Sequence, residues 1–311
     1  VFVMTHVLVT GASGYLGQFV SKHLRDNLPK DVGVVGTFSR ETNSKLVPEG
    51  VEAIQVNLGT GVGIDDVRNA CPRLAAIVNC AAISQPKACE DDEPAARALN
   101  VPEHVVTLAN ELGARLVHIS TDQVYDGTRA NSNEEAPCAP VNAYGRSKLA
   151  AEEYITKNCN ASKAVSLRSS IIYGPEPASP VGRTLFLQFV LKAVQGNEPF
   201  TFFGDEYRNP VYVKDICRIV ESLVVAPEWP LSKPVYCMGG PERLSRADFA
   251  RRVAAVAGSN GEMIEEVSAS SVNRGVKSPA DISMESKLLF SELGITPTAF
   301  DDGVKASIKK P

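Results

Sequence analysis

Apolar residues gather along this chain in short runs of five or six, and between the runs they recur every three or four positions. The runs at residues 6–10, 33–38, 51–56, 75–80, 115–119 and 163–168 read as strands. The run at 75–80 (AAIVNC) is apolar enough to be covered on both faces, as in a parallel sheet. Helical spacing falls between them, from the first glycine turn to about residue 27, over 94–112 and over 144–158. Such alternation predicts an α/β chain built on a Rossmann-type, doubly wound parallel sheet. After residue 174 the texture changes: a proline-rich loop at 176–183, a helix at 184–196, short strands near 199–203 and 210–213, and helices near 245–258 and 284–294. We therefore expect a dinucleotide-binding domain over 1–174, to which some later segments return, and a smaller substrate-binding lobe over 175–311.

The first strand runs into Gly11-Ala12-Ser13-Gly14-Tyr15-Leu16-Gly17 and then into a helix. Strand, glycine turn and helix make the context of a dinucleotide fingerprint. Gly11 permits the tight turn, Gly14 lets the backbone approach a pyrophosphate, and Gly17 lets the helix pack on the sheet. Free N–H groups and the positive end of the helix dipole would face the phosphates. The spacing is G-x-x-G-x-x-G, and its alternative reading is an ordinary tight turn. The second strand ends in Phe38-Ser39-Arg40, with no carboxylate at the position that would grip the 2′-hydroxyl of NAD. A hydroxyl and a guanidinium suit a 2′-phosphate, which predicts NADP(H) over NAD; the alternative is a solvated loop charge.

Ligands in doubly wound sheets bind outside the carboxyl ends of the strands. Gly11, Arg40, Asn57, Cys80, Thr121 and Ser170 all fall at such ends, so one crevice should collect them. Tyr144 and Lys148 stand four residues apart, one helical turn on one face. An ammonium beside a phenol would lower the phenol's pKa and make it a usable acid/base. Tyrosine and lysine at this spacing also occur by chance on solvated helices. Here the pair follows Ser120-Thr121-Asp122-Gln123-Val124-Tyr125 and the glycine turn, in that order.

Composition narrows the function. With 311 residues and a net charge of −4, nothing suggests a nucleic-acid or anionic-membrane partner, and no apolar run is long enough for a membrane span. Seven cysteines without a C-x-x-C pair point to reduced thiols in a cytoplasmic setting. The chain as given starts at Val1, with Met4 close behind, and leaves no room for a targeting peptide, so an organelle lumen stays open only after presequence removal. The four histidines are scattered, and no metal site is expected. Cys80 reads as a small buried residue rather than a nucleophile. Asp122 reads as a substrate contact or a local turn cap, and Arg208 as a diphosphate contact or a structural ion pair.

Gly11-x-x-Gly14-x-x-Gly17, Asn79-Cys80-Ala81-Ala82, Ser120-Thr121-x-x-Val124-Tyr125 and Tyr144-x-x-x-Lys148 resemble the extended short-chain dehydrogenase/reductases. Within that family, residues 120–127 and 208–215 are similar to the dTDP-4-dehydrorhamnose reductase group. Residues 55–58, 79–82 and 213–215 are similar to the regulatory β subunits of methionine adenosyltransferase. The resemblance implies catalytic roles for Tyr144 as proton donor, Lys148 as ribose ligand and activator, and Thr121 as holder of the substrate oxygen. It implies a nicotinamide cofactor on Gly11, Ser13, Gly14, Tyr15, Leu16 and Gly17 and on Phe38, Ser39 and Arg40. Asn57 and Leu58 would border the adenine, Cys80, Ala81 and Ala82 would pass beneath the cofactor, and Ser170 would lie near the nicotinamide. Substrate contacts fall to Thr121, Asp122 and Arg208. Gln123 stands where the reductase group often has tyrosine. Three functions follow: an NADP-dependent reductase of a nucleotide-linked 4-keto sugar, an NADP-binding regulatory subunit with a protein partner, and a scaffolding subunit.

Overall fold

The computed structural model describes residues 4–160, 163–196 and 198–308. The first half runs β1 (Thr5–Thr10), α1 (Tyr15–Asn27), β2 (Val32–Phe38), β3 (Glu52–Gln55), α2 (Ile64–Ala70), β4 (Leu74–Asn79), α3 (Pro86–Asp91), α4 (Glu93–Asn100), α5 (Glu103–Leu112), β5 (Arg115–Thr121), α6 (Ala143–Asn158) and β6 (Ala164–Ser169). The second half runs β7 (Ile172–Tyr173), α7 (Phe186–Val194), β8 (Phe200–Phe203), β9 (Tyr207–Arg208), β10 (Val211–Tyr212), α8 (Val213–Val225), β11 (Val235–Met238), β12 (Leu244–Ser245), α9 (Arg246–Ala257), β13 (Ile264–Val267), α10 (Lys287–Leu293) and α11 (Phe300–Ile308).

The expected doubly wound sheet is present. Seven strands lie in the order β11-β6-β5-β4-β1-β2-β3, and every pairing is parallel. Parallel strands need covered faces, and the apolar residues supply both covers. On one side Val20 and Leu24 of α1 meet Ile216 and Val220 of α8 over the sheet. On the other, Val67 of α2, Val105 and Leu108 of α5 and Ile155 of α6 pack on Leu8, Ile77 and Leu116. Full burial of each such side chain contributes about 1.5–3 kcal/mol. A third cluster, with Tyr173, Phe249 and Phe300 at its centre, holds α7, α9 and α11 together. β11 returns from the second half of the chain to pair with β6.

The single helix expected over 94–112 is two helices. Pro102 has no N–H to continue α4 and forces Val101 out of the helical region, to φ −82° and ψ 111°. α5 then restarts and ends at Gly113 in the left-handed conformation. The helix expected over 284–294 begins only at Lys287, because Met284 is buried in extended backbone and donates its N–H to Asn209 Oδ1. No helix among the described residues is long and apolar enough to cross a membrane.

Candidate active site

A cleft of about 850 Å³ opens across the carboxyl ends of the strands. Its floor is the glycine turn. Gly11 has a φ of +65°, which a side chain would strain, and a Cβ on Gly17 would collide with the Gly11 carbonyl oxygen. Helix α1 thereby starts directly against the strand end, with its N–H groups facing the cleft. Gln18 ties the loop at 176–183 over this turn: its amide Nε2 donates to the Ser13 and Ser179 carbonyls, and its Oε1 accepts from the Ser179 N–H. The Tyr15 hydroxyl donates to the Pro175 carbonyl.

Of the residues expected around a cofactor, Gly11, Ser13, Gly14, Tyr15, Leu16 and Gly17 line the cleft. So do Arg40, Cys80, Ala82, Tyr144 and Ser170. Arg40 is exposed at the rim, and among the described residues its guanidinium has no hydrogen-bond or ion-pair partner. The others do not line the cleft, although Ser39 and Asn57 are exposed. Phe38 and Leu58 are buried in the two cores flanking the sheet. Ser39 offers its carbonyl to Gln55, and Asn57 caps its own turn through Gly59 N. Ala81 lies under Gly11 and donates its N–H to Thr10 Oγ1. Burial pushes the Cys80 thiol up to about 12, so it is no thiolate at neutral pH.

Thr121 ends β5, and Asn142 caps α6 by accepting from the Gly145 N–H, which sets Tyr144 in the first turn, facing Thr121. Thr121 Oγ1 accepts from Gln123 N and donates to Asp122 Oδ1, 3.2 Å each. Burial raises the Tyr144 phenol to about 12, against the lowering effect of its hydrogen bond with Thr121. This corrects the expectation that Lys148 lowers Tyr144. Lys148 is buried, does not line the cleft, and places Nζ 2.9 Å from His118 Nε2. Burial pushes Lys148 down to about 7, and holds His118 well below its ordinary range.

Strand and helix periods explain that pairing. His118 and Ser120 are two apart on β5, and Lys148 and Glu152 are four apart on α6; both steps span about 6–7 Å. The two elements meet in two rungs, His118 with Lys148 and Ser120 Oγ with Glu152 Oε1 at 2.5 Å. Arg168 of β6, in register with Ser120, closes the second rung on Glu152 at 2.8 Å and reaches the Tyr125 hydroxyl.

Beside Thr121, Asp122 is buried, its Oδ2 lacks a hydrogen-bond partner, and burial raises its pKa against the pull of Arg208. Arg208 borders the cleft, yet its Nη1 donates to the Tyr207 and Ala280 carbonyls and its Nη2 to Pro279. It straps the 279–280 segment to β9. Arg246, which sequence reasoning passed over, is a second cleft cation, after Arg40, without a side-chain hydrogen bond among the described residues. It lies over the Phe186 ring at 4.6 Å, with Nε 3.6 Å from Glu206. Its position just after the Ser245 cap was readable; its direction into the cleft depends on packing of α9 against α7.

The chain matches the family described as RmlD substrate binding domain over residues 4–311. It is similar to methionine adenosyltransferase 2 subunit beta of Pongo abelii, 30% identical over 308 residues covering 97% of this chain and 86% of that protein. It is also similar to a probable low-salt glycan biosynthesis reductase of Haloferax volcanii, 24% identical over 319 residues covering 97% and 96%. Among solved structures, a dTDP-4-dehydrorhamnose reductase of Clostridium acetobutylicum superposes with a TM-score of 0.80 at 21% identity, over 98% of each chain. The dTDP-4-dehydrorhamnose reductase of Bacillus anthracis in complex with NADP gives 0.79 at 21% identity, over 98% and 99%. At that identity the likeness is one of fold. The match along the whole described chain, the parallel sheet and the glycine turn agree: the chain belongs to the RmlD substrate binding domain family of the extended short-chain dehydrogenase/reductases.

Proposed function

We propose that the protein is an NADP-dependent reductase of a carbonyl on a nucleotide-linked sugar. The observation that carries this reading is the convergence of Thr121 and Tyr144 on one cleft with the glycine turn and the uncommitted Arg40. The turn fits a dinucleotide, since a Cβ at Gly11 would crowd Ala81 and one at Gly17 would strike the Gly11 carbonyl, so only glycine lets α1 begin this close to the strand end. Gly11, Gly14 and the start of α1 would hold the pyrophosphate, and Arg40 the 2′-phosphate. When bound, the nicotinamide supplies the hydride.

The chain's own residues supply the rest. Tyr144, kept protonated at neutral pH by burial, gives its proton to the developing alkoxide. Thr121 holds the same oxygen. Asp122 offers its open Oδ2 to a sugar hydroxyl, and Arg246, backed by Phe186, meets the negative charge of a diphosphate. In this reading residues 175–311 form the substrate lobe. Arg208 shapes the wall and leaves the anion to Arg246.

The likeness to methionine adenosyltransferase 2 subunit beta favours a second reading, a nucleotide-binding regulatory or scaffolding subunit with a protein partner. The deciding experiment follows NADPH oxidation with dTDP-4-keto-6-deoxyhexose generated in place by a dehydratase. The reductase reading expects oxidation above background that is lost in Thr121→Ala. Firm NADP binding without oxidation, together with a stoichiometric partner on purification from the native source, would replace it with the second.

A further inference from the structure

Behind the cleft a line of buried polar groups runs from β1 to α6. Thr10 Oγ1 lies 2.5 Å from Asn79 Oδ1, Asn79 Nδ2 lies 2.9 Å from His118 Nδ1, and His118 Nε2 lies 2.9 Å from Lys148 Nζ. Thr10, Asn79, His118 and Lys148 are all at most 2% exposed. Each group therefore has to find its donor and acceptor inside the chain.

The line admits a limited set of proton arrangements. With the amide as it stands, Asn79 Nδ2 donates to His118 Nδ1. A neutral imidazole then carries its hydrogen on Nε2 and points it at Lys148. An ammonium has three donors and no acceptor, so this arrangement needs Lys148 as the free amine. With Lys148 as ammonium, His118 Nε2 becomes the acceptor and the hydrogen moves to Nδ1. Asn79 then turns its amide over, so that Oδ1 accepts from His118 and Nδ2 donates to Thr10 Oγ1. The Thr10 oxygen has two lone pairs, of which the Ala81 N–H takes one at 3.3 Å. An imidazolium beside the ammonium would bury two like charges in contact, at a cost that excludes it.

We infer that His118 is a positioning residue that holds Lys148 in either charge state, by exchanging its tautomer together with a half-turn of the Asn79 amide. The other titratable and charged groups around Lys148 do not replace it. Cys80, after β4, stays a neutral thiol, and Glu152, one turn on along α6, is committed to Ser120 and to Arg168 of β6. Tyr144, one turn back, keeps its proton. Burial brings Lys148 to about 7, so the exchange falls within the range of working pH. The inference concerns the chain alone and stands whether or not the protein reduces a carbonyl.

The test is long-range ¹H–¹⁵N correlation on the full chain labelled with ¹⁵N-histidine, from pH 5.5 to 9.5. The chain has four histidines, and His118→Gln identifies the resonances of interest. We expect His118 neutral throughout, with the hydrogen on Nδ1 at low pH and on Nε2 at high pH, and a midpoint near that of Lys148. Lys148→Met should abolish the change and leave one tautomer. A wild-type His118 that keeps one tautomer across the range, or that titrates to imidazolium, overturns the inference. So does a tautomer change that persists in Lys148→Met. Should that variant not fold, the wild-type titration decides by itself.

Discussion

Replacing Lys148 by methionine should make this protein more stable at mildly acid pH and change it little at alkaline pH. Lys148 is 1% exposed, and burial lowers its pKa from 10.5 to about 7. A depressed basic group carries no penalty above its unfolded value and loses stability for the fold as pH falls towards its folded value. Here the unfolded chain binds the proton more tightly between pH 10.5 and about 7, and below about 7 the loss is complete. At 1.36 kcal/mol per unit the full cost is roughly 5 kcal/mol. Methionine has a similar length and no charge, but it leaves His118 Nε2 without a partner, which costs about 1–3 kcal/mol. The net gain at pH 6 is then about 2–4 kcal/mol, and it shrinks by roughly 2.5 kcal/mol by pH 9. Urea unfolding at both values, with the slope against denaturant unchanged, measures the difference directly. A variant that is equally or less stable at pH 6, with no dependence of the difference on pH, would refute the argument that Lys148 is a buried base held against its charge.

Other substitutions probe the remaining parts. Arg40→Ala should weaken NADP by about 1.5–3 kcal/mol while leaving NAD unchanged, read by titration calorimetry with each nucleotide. Arg208→Ala should cost about 3–5 kcal/mol of stability in urea, since it frees the buried carbonyls of Tyr207, Pro279 and Ala280, whereas Arg246→Ala should leave the urea midpoint nearly unmoved. Glu152→Gln should lose a similar 3–5 kcal/mol, because Arg168 is left as a buried charge without its carboxylate.

How much of this was legible in the sequence follows from the range of the interactions. The glycine turn, the strand ends and the Tyr144/Lys148 helix are local patterns, and they form where the periodicity put them. The break at Pro102 was equally local; the apolar spacing on either side of it masked a proline that removes a donor. Asn57 and Leu58 were assigned to the adenine edge, but neither lines the cleft: Leu58 is taken into the core and the Asn57 side chain holds its own turn. Arg208 was open between a ligand contact and a structural role, and its fate rests on carbonyls some seventy residues later. The partner of Lys148 was hidden for a different reason. Its identity needs the register of β5 against α6, and a strand step of two matched to a helix step of four appears only when both elements are placed together.

In the proposed reaction Tyr144 gives the proton while other residues hold the nucleotide. The most direct measurement compares wild type and Tyr144→Phe for turnover of a nucleotide-linked 4-keto sugar with NADPH, alongside the NADPH dissociation constant of each. We expect turnover in the wild type, turnover lost by at least the factor of about 10²–10⁴ typical of a positioned acid in the variant, and nearly equal NADPH binding in both. A Tyr144→Phe protein that turns over at the wild-type rate would contradict it.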